Sequence, residues 1–159
     1  MWWKRLLFTG LYTGYSPIAS GTTGSLLALV IYVFEYLIFG DISWVLNVVI
    51  VLVMLYPSIR LGDAGEIYFG KEDPSEIVLD EIMGYWISVL FYPFSWKIAI
   101  LAFLIFRFID ILKPYPLYKL QELKGGLGVM LDDYVAGILT NLLLLIIVII
   151  THLMGISIY

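Results

Sequence analysis

The sequence predicts an all-α fold: an integral membrane helical bundle of about five membrane-embedded helices, with a polar site at its cytoplasmic face. Three observations carry that expectation. Hydrophobic residues make up 62 % of the 159-residue chain, against roughly 45–50 % in soluble domains, and the mean hydropathy is +0.97. The apolar runs are long and lack the period-2 alternation of barrel strands. Charged residues account for only 14 %, and the acids gather in short stretches beside those runs. At this length one domain is expected, spanning residues 1–159.

Taken in chain order, Met1 to Thr9 places Lys4 and Arg5 before apolar residues and superficially resembles a signal peptide. Polar, glycine-rich sequence follows and no convincing cleavage site does, so this segment is read as retained. The first membrane helix is expected at Ser25–Phe39, beginning as early as Thr23, with Thr22 or Thr23 as its N-cap. The second covers Ile42–Ile59, interrupted near its end by Pro57. The third starts at Pro74 or Leu79 and runs to about Tyr92. Asp73-Pro74-Ser75-Glu76 resembles a capping box there, which puts Asp80 and Glu81 in the second or third turn. The fourth runs from Lys97 to about Leu112 and stops at Lys113-Pro114-Tyr115-Pro116. The fifth runs from Tyr134 to about Gly155. Several of these fall short of the roughly 20 residues of a typical span and call for tilt or extension.

Orientation follows from the basic residues. With five crossings and the N-terminus inside, every Lys and Arg except Lys97 lies on the cytoplasmic side, as the positive-inside bias requires. All acids but Glu35 and Asp41 fall on that side too, as do the long polar connections. Any chemistry belongs on the inner face.

Composition also excludes classes of function. The chain has no cysteine, which removes disulfides, thiolate metal sites and cysteine nucleophiles. One histidine, His152, rules out a multi-histidine zinc centre within one chain. A net charge of −4 without a basic stripe gives no footprint for nucleic acid.

Four polar constellations remain. Asp80-Glu81 adjoins the apolar run Ile82–Phe91, where carboxylates are expensive unless used. Asp73, Glu76 and Asp80, spaced by three and four, share a stripe if helical, and for Asp73 and Glu76 a solvated helix start is the leading reading. Arg107, Asp110 and Lys113 recur every three residues within an apolar helix, as a structural ion pair or as a phosphate clamp with Asp110 on metal. Asp132-Asp133 enters the last span after Gly125-Gly126-Leu127-Gly128, a loop suited to cradling an anion. One of these aspartates is a metal-ligand candidate and the other a candidate helix cap. Ser16 and Thr22, in the small-residue stretch from Gly14 to Ser25, can contact phosphate or simply cap and pack the helix. Asp63 and Glu66 are as consistent with solvated surface as with function.

These parts converge on one compartment. Hard oxygen ligands without Cys or a His cluster favour Mg²⁺ over zinc. Adjacent cations suit a phosphorylated substrate, and a site at the membrane face suits a lipid head group. Metal-assisted hydrolysis of a phosphomonoester fits the set.

At these residues the chain resembles the phosphatidylglycerophosphatase A family. The marks are Gly14-x-Ser16-Pro17-x-x-x-Gly21-Thr22-x-Gly24-Ser25 and Asp73-Pro74-x-x-Ile77-Val78-x-Asp80-Glu81-x-x-Gly84. They continue with Phe106-Arg107-x-x-Asp110-Ile111-x-Lys113-Pro114-x-Pro116, then with Gly125-Gly126-x-Gly128-Val129-Met130-x-Asp132-Asp133-x-x-Ala136-Gly137. The resemblance runs from about Gly10 to Gly137. It implies a Mg²⁺-dependent phosphatase of the bacterial inner membrane that converts phosphatidylglycerophosphate into phosphatidylglycerol and inorganic phosphate. It assigns metal to Asp80, Glu81, Asp110, Asp132 and Asp133, and phosphate to Arg107 and Lys113. Asp80 and Asp132 are the carboxylates expected to act in catalysis with those two cations. Ser16 and Thr22 are further substrate contacts.

Three rival readings predict different things. A cation or phosphometabolite transporter requires polar residues along a path through the bilayer. An assembly protein uses its acids only to orient helices. A phosphatase for another lipid, such as phosphatidic acid, shares all of this physics. A second copy of the chain is a candidate partner, because five thin helices enclose little on their own.

Overall fold

The computed structural model describes residues 2–158, and among them every regular element is helical. A short helix α1 (Trp2–Phe8) leads through a 3-10 turn at Thr13–Tyr15 into α2 (Ser20–Phe39). A second 3-10 turn, Gly40–Ile42, reverses the chain into α3 (Ser43–Phe69). Then come α4 (Leu79–Ser88), α5 (Trp96–Leu112), the single turn α6 (Leu117–Leu120) and α7 (Gly126–Leu153). Two helical stretches are long and apolar enough to cross a membrane, Ser20–Phe69 with its internal reversal and Gly126–Leu153. Much of their apolar surface faces outward: Leu37, Leu52, Val53 and Ile146 are all exposed. That is the inverse of a soluble domain, and it suits a hydrocarbon solvent.

The shortest of the main helices holds the centre. Asp80, Ile82, Met83, Gly84, Tyr85, Ile87 and Ser88 of α4 are all buried, and α2, α3, α5 and α7 surround it. Its closest neighbour is α7, because both helices put glycine at the crossing. A Cβ on Gly137 would stand 2.4 Å from the Gly84 carbonyl oxygen, and one on Gly84 would meet the Phe106 ring at 2.5 Å. Two apolar clusters flank α4, one around Tyr32, Tyr85 and Phe106, the other around Phe8, Met83 and Met130.

The third apolar stretch departs from expectation. The helix ends at Ser88, not near Tyr92, and Val89–Ser95 continues as turn and extended chain. Ten helical residues rise about 15 Å, half of a hydrocarbon core near 30 Å. The extended part carries the chain onward to Ser95, whose hydroxyl donates to the Ile158 carbonyl at the end remote from Asp80. Carbonyls left open by this break find Asn141 of α7, whose amide nitrogen donates to Ile87, Ser88 and Leu90. Asn47 of α3 donates to the Trp86 carbonyl at 3.2 Å.

Other boundaries moved as well. The second stretch is helical through Pro57 to Phe69, ten residues past Ile59. Proline removes one donor there. The acceptor this leaves is the Val53 carbonyl; next to it Ser58 Oγ donates to the Met54 and Leu55 carbonyls, and Tyr134 reaches Leu55 at 3.0 Å. The capping box does not form. Asp73 has φ +42° and lies in a turn, the helix begins at Leu79, and Asp80 and Glu81 sit in its first turn. Asp73, Glu76 and Asp80 therefore share no helical stripe. Nor do Thr22 and Thr23 cap α2, which starts at Ser20; Thr23 bonds back to the Thr13 and Ser20 carbonyls. The last helix starts at Gly126, so Asp132 and Asp133 lie in its second turn and cap nothing. The segment read as retained is packed, with Phe8 buried and Arg5 over the rings of Tyr12, Tyr15 and Tyr68.

Candidate active site

Three helices bring their polar turns together at one end of the bundle. α4 contributes Asp80 and Glu81 from its first turn, α5 contributes Arg107 and Asp110 from its last two turns, and α7 contributes Asp132 and Asp133. Lys113 follows directly, as the residue that ends α5 in a left-handed conformation. Around them lies a cavity of about 170 Å³, lined by Asp80, Glu81, Asp110, Lys113, Asp132 and Asp133.

The five carboxylates divide into two groups. Asp110 accepts from Arg107 Nη1 at 2.6 Å, and Asp132 accepts from Lys113 Nζ at 2.6 Å. Asp80, Glu81 and Asp133 instead converge, each offering an oxygen within 4.8 Å of the others. Within this trio Asp80 Oδ1, Glu81 Oε2 and Asp133 Oδ1 are buried and meet no donor from the protein. Three like charges at that spacing repel by roughly 3 kcal/mol per pair at an effective dielectric near 20. Hard, buried, donor-free oxygens are the ligand set a divalent cation such as Mg²⁺ takes.

The cations are placed differently from each other. Lys113 reaches into the cavity. Burial works against its charge, yet the hydrogen bond to Asp132 and the charges of Asp132, Asp133 and Asp110 hold its pKa above the ordinary lysine value. Arg107 stands behind the lining. Its guanidinium bonds Asp110, lies 3.9 Å from Glu81 and reaches Ser25 Oγ at 3.5 Å. This close fit requires Gly21 on α2, where a Cβ would fall 2.0 Å from Glu81 Oε1 and 3.1 Å from Arg107 Nη1.

The hydroxyl residues on the cavity wall are Ser20 and Ser75. Ser16 donates to the Ile18 carbonyl at 2.9 Å and holds its own loop, while Thr22 is half-buried in the first turn of α2. Neither lines the cavity. The glycine loop before α7 already has its anion: Gly126 N–H donates to Asp63 Oδ1 at 2.7 Å, so Asp63 caps that helix from α3. Asp73 lines the cavity from its turn, held by Gln121 Nε2 at 2.6 Å, with its own N–H on Glu66. Ser20 carried no signal apart from its neighbours. Asp73 carried one, an acid seven residues before Asp80, but it read as a helix cap.

The phosphatidylglycerophosphatase A family model matches residues 6–148. An Escherichia coli K12 protein named phosphatidylglycerophosphatase A is 35 % identical over 138 residues, covering 86 % of this chain and 78 % of its own. A Haemophilus influenzae protein of the same name is 34 % identical over 137 residues, covering 84 % and 82 %. A Bacteroides thetaiotaomicron protein named "Putative phosphatidylinositol-3-phosphatase" is 39 % identical over 145 residues, covering 87 % and 89 %. No solved structure matches the chain. The family match extends over both the acidic turns and the helices that bring them together, and the chain belongs to the phosphatidylglycerophosphatase A family.

Proposed function

We propose that the protein hydrolyses the terminal phosphomonoester of phosphatidylglycerophosphate, giving phosphatidylglycerol and inorganic phosphate, at the carboxylate-lined cavity. The observation that carries this reading is the trio Asp80, Glu81 and Asp133, each with one buried oxygen that no donor meets, beside Lys113 in a member of this family. Those three residues would hold Mg²⁺. A divalent ion bound there supplies Lewis acidity to the phosphoryl oxygens and lowers the pKa of bound water.

The chain's own groups do the rest. Lys113 places its ammonium against the phosphate oxygens and offsets their charge. Asp132 fixes that ammonium through one oxygen and accepts the attacking water's proton on the other. Arg107 positions Glu81 and Asp110 without reaching the phosphate itself. Water forms the new P–O bond as the P–O bond to the lipid breaks. The proton taken up by Asp132 passes to the departing ester oxygen to give the lipid's hydroxyl, and phosphate departs.

The site would face the cytoplasm of a bacterial inner membrane, with five crossings of which the third is the broken α4 segment. The amide nitrogens of Asn47 and Asn141 are occupied by α4's carbonyls rather than lining a path, which favours an enzyme over a transporter. The name of the Bacteroides relative supports a second reading, hydrolysis of a 3-phosphorylated phosphatidylinositol.

Purified protein in detergent micelles would be assayed for phosphate release from phosphatidylglycerophosphate, phosphatidylinositol 3-phosphate and phosphatidic acid, with Mg²⁺ and with EDTA. The expected result is Mg²⁺-dependent release from the first, at least tenfold faster than from the others, and lost in Asp80→Asn. Preference for the inositol lipid would transfer the reaction to that substrate. No release from folded protein with any divalent metal would overturn the enzyme reading.

A further inference from the structure

Arg107, Asp110 and Lys113 belong to α5, and Asp132 and Asp133 to α7, so the site's polar groups sit on top of the α5–α7 seam. Below them the same seam opens outward as an apolar groove of about 470 Å³. Its walls are Leu104, Ile105, Phe108 and Ile109 from α5, with Leu143 and Ile147 from α7. Ile109 is the residue before Asp110, and the Lys113–Asp132 pair joins the two helices at the site end of the seam. Leu104 lies six residues from Asp110, about 9 Å along the helix, and Leu143 lies ten from Asp133, about 15 Å. Leu104, Phe108 and Leu143 are exposed although the seam around them is otherwise packed.

We infer that this groove holds an acyl chain of the phospholipid whose phosphate occupies the cavity. The inference rests on the lipid phosphatase reading and adds where the lipid tail lies. Charge and polarity select the occupant: the cationic Lys113 marks the head-group end, and the walls below are wholly apolar. A general membrane lipid satisfies the walls but has no terminal phosphate for the cavity. A second copy of the chain satisfies the walls as well but brings no phosphate to the cavity above them.

The test uses the full chain in micelles. A phosphomonoester lipid with a diazirine in its acyl chain is photolysed with the protein in EDTA, and phosphatidylcholine with the same chain serves as comparison. The expected result is labelling of α5 and α7 peptides at residues 104–109 and 143–147 by the phosphomonoester lipid, at least fivefold above phosphatidylcholine. Equal labelling by both would make the groove ordinary lipid-facing surface and overturn the inference, as would disulfide-free crosslinking between two protein copies through these residues. Kinetics supply the second arm. Leu143→Trp fills the groove and is expected to raise KM for the long-chain substrate about tenfold, the size expected when roughly two methylenes lose their burial. Its kcat/KM for the deacylated head group should stay unchanged, and Leu52→Trp on α3 should alter neither. An equal change on both substrates, or none on the long-chain one, overturns the inference. Selective labelling without any phosphate release from either substrate would instead overturn the hydrolytic reading while leaving the groove's occupant standing.

Discussion

At the scale of single residues, the acidic cavity separates two uses of a carboxylate. Asp110 and Asp132 each hold a cation of the protein's own, at 2.6 Å in both cases. Removing either leaves a partly buried positive charge without its partner, a loss of several kcal/mol. Asp133 is the opposite case. It lies among Asp80 and Glu81 with a buried oxygen that no donor meets, so its charge weakens the fold of the metal-free protein. Asp133→Asn is therefore expected to raise the melting temperature of EDTA-treated protein by a few degrees. The same change should abolish the Mg²⁺-induced shift expected of the unaltered protein. That shift is about 2.7 kcal/mol at a hundredfold excess over Kd, or roughly 5–10 °C at this chain length. Differential scanning fluorimetry with EDTA and with Mg²⁺ reads both. If the variant melts lower in EDTA and still responds fully to Mg²⁺, Asp133 is a structural acceptor and the cation lies elsewhere.

The main lesson at the level of elements is that α4 is ended by a residue fifty positions away. Nothing local stops it: Val89, Leu90 and Phe91 continue the apolar run, and the first proline is Pro93. The stop comes from Asn141, which takes up carbonyls that a longer helix would have used itself. Composition reads length in an apolar run, and it does so well for α5, expected from Lys97 and found from Trp96. It does not read tertiary partners. The same limit applies to Pro57, whose turn is braced by Ser58 and by Tyr134 from another helix. It also explains Asp73, drawn out of a cap by Gln121. An asparagine inside the leucine-rich run 139–150 was the visible clue to the break, since such a residue must find partners in lipid. Asn141→Leu is expected to cost about 1–3 kcal/mol, given two N–H donors shared among three carbonyls and roughly 1 kcal/mol for each bond in a membrane. Unfolding by SDS titration checks this, with the exposed neighbour Leu142→Ala as the comparison. Equal SDS midpoints for the two variants would show that α4 ends for another reason.

For the molecule as a whole, the site was more legible than the fold around it, and charge placement is the reason. Acids that adjoin apolar helices have few places to go, so Asp80, Glu81, Asp110, Asp132 and Asp133 could be grouped before their helices were placed. Which of them pair with Arg107 and Lys113 depends on side-chain reach across helices, and spacing within one helix does not encode it. Orientation in the membrane is a property of the same charges. Lys4, Lys119 and Lys124 belong to segments at the site's end or beyond it, whereas Asp41 lies in the turn between α2 and α3 and Met154 follows α7. Because the chain has no cysteine, single replacements report sidedness without background. With five crossings and the positive-inside bias, Asp41→Cys and Met154→Cys should react with an impermeant maleimide in intact spheroplasts. Lys4→Cys and Lys124→Cys should react only after permeabilisation. The pair Lys4 and Met154 decides the parity, since the broken α4 segment counts as a crossing only if the two ends lie on opposite sides. Labelling of both from the same side would make that segment re-entrant. Labelling of Lys124→Cys in intact cells would turn the carboxylate cavity outward, and the phosphate it releases would then leave on the far side of the membrane.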